Sequence, residues 1–209
     1  MVSSDIKGNV ICWENNKVKK RSYDFDNYIN TITEVNNKLQ HIVILCFKET
    51  KIKFYDLRYS TLECIATIND ILGSGFKNNM LKLNDNILAV SGTYIYIIDL
   101  NALIVTNKIN CIFANNSISN FHFNKNGYFF VSQALTNLCN SEFEKGILGY
   151  YQYNFKNKII PDDNSLVKLA SKHKCHDNYI TSIKQIDSKT IVTGGFDGKI
   201  KFWIIKEIQ

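Results

Sequence analysis

His173, Cys175 and His176 fall within the stretch HKCH at 173–176, and imidazole and thiolate are ligands that zinc favours. A structural zinc site needs four converging ligands, and no second Cys or His pair stands nearby to complete one. No metal or cofactor is therefore expected. GSG at 73–75 lacks the glycine and lysine that continue a phosphate-cradling loop, so it reads as a turn. Asp162 and Asp163 follow Pro161 in a polar stretch and read as a solvated loop, not as a general acid and base. HExxH, G-x-S-x-G and paired glycine-rich loops are all absent. These residues predict neither an enzyme nor a small-molecule substrate.

The elements that carry them are short. Length allows one domain, or at most two small ones, in 209 residues, enough for a sizeable core. The first residues, MVSSDIKGNVICW, contain no apolar core behind a basic start, and the strongest apolar run, HIVILCF at 41–47, is strand-sized. A soluble intracellular protein, cytoplasmic or nuclear and without a membrane span, is expected. Six cysteines (Cys12, Cys46, Cys64, Cys111, Cys139 and Cys175) are scattered without a CxxC pair, which fits packed, reduced thiols. The net charge of +6 is concentrated partly in KVKKR at 17–21 and SKHK at 171–174. Such runs can meet phosphate, but they also read as solvated edge strands whose lysines block edge-to-edge pairing.

A repeat organises the chain. TIVTGGFDGKIKFW at 190–203 closes on Trp203, and GKIKFW has a relative in GNVICW, where Gly8 and Trp13 keep the spacing of Gly198 and Trp203. KIKFYDL at 51–57, YIYIIDL at 94–100 and GILGYYQY at 146–153 are further copies, closing at Tyr55, Ile98 and Tyr151. The five closing positions are separated by 42, 43, 53 and 52 residues. A period near 40–45 residues built of short alternating strands predicts propeller blades. Ile183 to Trp203 and Val35 to Tyr55 are both 20 residues, an independent match. Each closing position is followed by another strand-like run, so a unit holds four strands.

HDNYITSIKQIDSKTIVTGGFDGKIKFW at 176–203 resembles a WD-repeat unit along its whole length. Cys175-His176 stands where the family has Gly-His, Thr193 where it has Ser or Thr, Asp197 in the turn and Trp203 at the strand end. The resemblance implies that His176, Thr193, Asp197 and Trp203 form the family's hydrogen-bonded tetrad. The other units depart from the pattern: Lys7 replaces the turn aspartate in the first, and Tyr55, Ile98 and Tyr151 replace tryptophan in the second to fourth. Full tetrads are not expected there.

The expectation is thus an all-β fold: residues 1–209 as an incomplete WD-repeat-type propeller, three full four-stranded blades and two partial terminal ones. The open ring leaves three arrangements: a fragment of a longer protein, a partner that donates strands, or a small irregular ring. The resemblance implies a non-catalytic scaffold for protein partners in an intracellular complex. The loop between Ser132 and Gly146 is longer than its counterpart in the last unit, and such loops on rigid scaffolds often bind. A finer possibility rests on Tyr55-Asp56-Leu57-Arg58, which is similar to a box by which some WD-repeat proteins dock on a cullin ubiquitin ligase; Asp56 and Arg58 would make the contact. A third reading is an RNA-associated subunit of a nuclear particle, with the lysine runs on phosphates.

Overall fold

Runs of three to seven residues, punctuated by Asn, Asp and Gly, form antiparallel strands. In the computed structural model the described residues are 2–5, 7–22, 29–35, 41–46, 51–57, 62–69, 79–92, 94–109, 117–123, 128–134, 147–153, 166–172, 175–178 and 180–205. They contain 18 strands and no helix. The first sheet is β1 (Val2–Ser4), β2 (Val10–Glu14) and β3 (Lys17–Ser22). The second is β4 (Ile29–Val35), β5 (His41–Cys46), β6 (Lys51–Asp56) and β7 (Cys64–Ile68). The third is β8 (Met80–Asn84), β9 (Ile87–Ser91), β10 (Ile95–Asp99) and β11 (Ile104–Ile109). The fourth is β12 (Ser117–Phe123), β13 (Tyr128–Ala134), β14 (Ile147–Tyr153) and β15 (Leu166–Lys172), and the last is β16 (Ile180–Gln185), β17 (Thr190–Gly195) and β18 (Ile200–Ile204).

Within every sheet the strands lie in chain order, each antiparallel to the next. The five closing positions all fall on the third strand of a unit, β2, β6, β10, β14 and β18, counting the first sheet as lacking its inner strand. Three sheets have four strands and two have three, so the architecture is an incomplete β-propeller. Register is set locally. Asn15 and Asn16, both at positive φ (51° and 60°), make the two-residue turn between β2 and β3 that matches strand twist.

The core lies between sheets, where a face of one unit packs on a face of the next. Val10 and Cys12 of the first sheet pack on Tyr55 and Leu62 of the second. Ile52 and Phe54 of the second pack on Met80, Leu88, Val90, Tyr96 and Ile98 of the third. Leu148 and Tyr150 of the fourth meet Ile183, Ile191 and Trp203 of the last. The third sheet, covered on both sides, has β9 buried along its whole length. Cys12, Cys64 and Cys175 are free thiols. Among the described residues no helix is long and apolar enough to cross a membrane.

Candidate functional site

The densest polar cluster sits where the loop at 175–178 meets the β17–β18 turn. His176, in that loop, is fully buried, and its ring spans two partners: Nδ1 lies 2.9 Å from Asp197 Oδ1 and Nε2 2.8 Å from Thr193 Oγ1. Trp203, on β18, donates its indole N–H to the same Thr193 Oγ1 at 2.8 Å. Asp197 also accepts the backbone N–H groups of Asp177 at 2.9 Å and Lys199 at 3.1 Å. Two lysines add further ties: Lys201 Nζ, on β18, donates to Cys175 O at 2.6 Å, and Lys199 Nζ, just before that strand, pairs with Asp177 at 2.7 Å. The structure thus brings His176, Thr193, Asp197 and Trp203 into one network.

The network is satisfied throughout when Nδ1–H donates to Asp197 and the Thr193 hydroxyl, having accepted the indole N–H, donates to Nε2. Burial would raise the Asp197 pKa, but the hydrogen bond from His176 and the two backbone N–H donors outweigh it and hold the carboxyl well below the usual range of 3.8. An Asp, a His and a hydroxyl in line also describe a nucleophile with its base and orienter. Here the hydroxyl is fully buried and its oxygen is engaged by an indole, so a substrate has no approach to it. Gly195 is demanded by the same packing, since a Cβ at that position would collide with the His176 ring and the Asp197 carboxylate.

Other sheets perform the same task with different groups. In the first, Trp13 Nε1 donates to Ser3 Oγ at 2.7 Å, at the ten-residue spacing of Trp203 and Thr193. The turn itself repeats: the N–H of Asp5 bonds to Asn9 O and that of Gly8 to Asp5 O, as Gly195 does to Lys199 and Gly198 to Gly195. Gly8 and Gly198 share a positive φ, 82° and 73°. The aspartate has moved: Asp5 occupies the place of Gly195 and caps the N–H groups of Lys7 and Asn9 at 2.8 and 3.0 Å. Its bonds from the Asn9 side chain and backbone lower its pKa. In the third sheet the turn is shorter, and Ser91 Oγ instead receives the Asn79 N–H at 2.7 Å, tying the turn to the start of β8. Asp5, Ser91 and Asn79 were not legible as site residues, because no motif spacing marks them.

Two residues of the HKCH cluster are described. His176 has both ring nitrogens engaged, Cys175 is buried and His173 lies outside the described residues. No group of three His, Cys, Asp or Glu side chains that could hold a metal occurs among the described residues. Of the expected docking box, Asp56 is only 2% exposed, at the end of the buried run of β6. Its counterpart Asp99, also one residue past a closing position, accepts the N–H groups of Asn101 and Ala102 at 2.7 and 3.1 Å. Asp99 thus serves the turn that follows its strand. Arg58 lies outside the described residues, as do GSG at 73–75, Asp162, Asp163 and residues 135–146 of the long loop. Of the basic runs, β3 forms the edge of its sheet with Lys17 and Lys19 exposed, and Lys19 pairs with Glu14 at 2.8 Å.

Stacked four-stranded antiparallel sheets locked at their turns define a β-propeller of the WD40 kind, and solved structures carry the same fold. No family model matches the sequence, and no curated protein matches it. A chain in the crystal structure of the mitotic checkpoint complex superposes with a TM-score of 0.71 at 12% identity, over 99% of this chain and 59% of that one. The WD40 β-propeller domain of Doa1 gives 0.66 at 10% identity, over 99% and 60%. The C-terminal WD40 domain of Sif2 gives 0.68 at 10% identity, over 99% and 54%. The chain therefore spans between 54% and 60% of the length of these solved propellers, and the likeness is one of fold.

Proposed function

We propose that this chain is a non-catalytic scaffold for protein partners, working inside the cell, in cytoplasm or nucleus, as part of a larger complex. The observation that carries this reading is where the polar chemistry goes. The Asp–His–Thr line is buried and used to lock a turn, which leaves rigid sheets with loops at their ends as the surface offered to others. The occurrence of one structurally similar chain within a multiprotein complex supports the same direction. Docking on a cullin ubiquitin ligase through Asp56 and Arg58 is disfavoured by the burial of Asp56. An RNA role would rest on Lys17 and Lys19 of one edge strand, and Lys19 already has a carboxylate partner.

The test is purification of the endogenous protein at moderate and high salt, with the co-purifying species quantified. A stoichiometric protein partner retained at high salt is expected. Recovery of the chain alone, or with RNA that dissociates steeply as salt rises, would reject the scaffold reading.

A further inference from the structure

We draw no further inference here: the strongest candidate, the exposed apolar face of β18 formed by Ile200, Phe202 and Ile204, has nothing in the structure to show what covers it, and the next, partly buried His122 of β12 beside Lys184 of β16, rests on the lowered histidine pKa alone.

Discussion

Thr193 holds two buried groups at once, so deleting its hydroxyl strands both the Trp203 N–H and His176 Nε2. Thr193→Val keeps the shape and removes the oxygen, and the expected loss is about 2–6 kcal/mol, from two unsatisfied groups at about 1–3 kcal/mol each. Trp203→Phe removes one of those groups, so the double variant should lose less than the sum of the singles. Chemical denaturation of the four proteins measures this, and strict additivity would show that the three side chains are not coupled. Asp197 gives the network a pH dependence of definite sign. Its carboxyl titrates below 3.8 in the folded chain, so its stabilisation is complete above that value. It is lost as the pH falls further, through the lower folded value. Asp197→Asn should be less stable than the parent at neutral pH, with the gap narrowing as the pH drops below 3.8. A gap that stays constant would mean that the charge contributes nothing.

Between elements, the lock works because the β17–β18 turn and the loop at 175–178 approach so closely that only glycine fits at 195. Gly195→Ala should therefore displace the His176 ring and lose about 2–4 kcal/mol, comparable with Thr193→Val, since both dismantle one network. Gly198→Ala acts differently: its surroundings are open and its φ is +73°, so about 1 kcal/mol of backbone strain is expected. Thermal melts, with the His176 ring resonances as a local report, separate the two; equal losses with an unmoved ring would exclude the close-approach account. This scale also shows what could be read beforehand. Tyr55 and Ile98 can stand at closing positions where the last sheet has Trp203 because each packs between sheets, and the strands follow from their spacing. Asp5 escaped because the N–H of Asn9 needs an oxygen but not from any one residue, so a carboxylate four residues upstream serves as well as the one two residues upstream in the last sheet. The burial of Asp56 escaped because a four-residue box does not reveal how deeply each of its side chains is packed.

Across the whole molecule, stability is passed from sheet to sheet, as in other repeat architectures where each unit contacts only its neighbours. The third sheet is covered on both faces and its β9 and β10 are almost wholly buried, whereas β18 is covered on one face only. Amide hydrogen exchange of the isolated chain should follow that order. The slowest amides are expected in Ile87–Ser91 and Ile95–Asp99, opening only with global unfolding. In Ile200–Ile204 the amides that face β17 should exchange through cheaper local opening, and those on the free edge faster still. If β18 were as protected as β10, burial between sheets would not be what sets local opening in this fold.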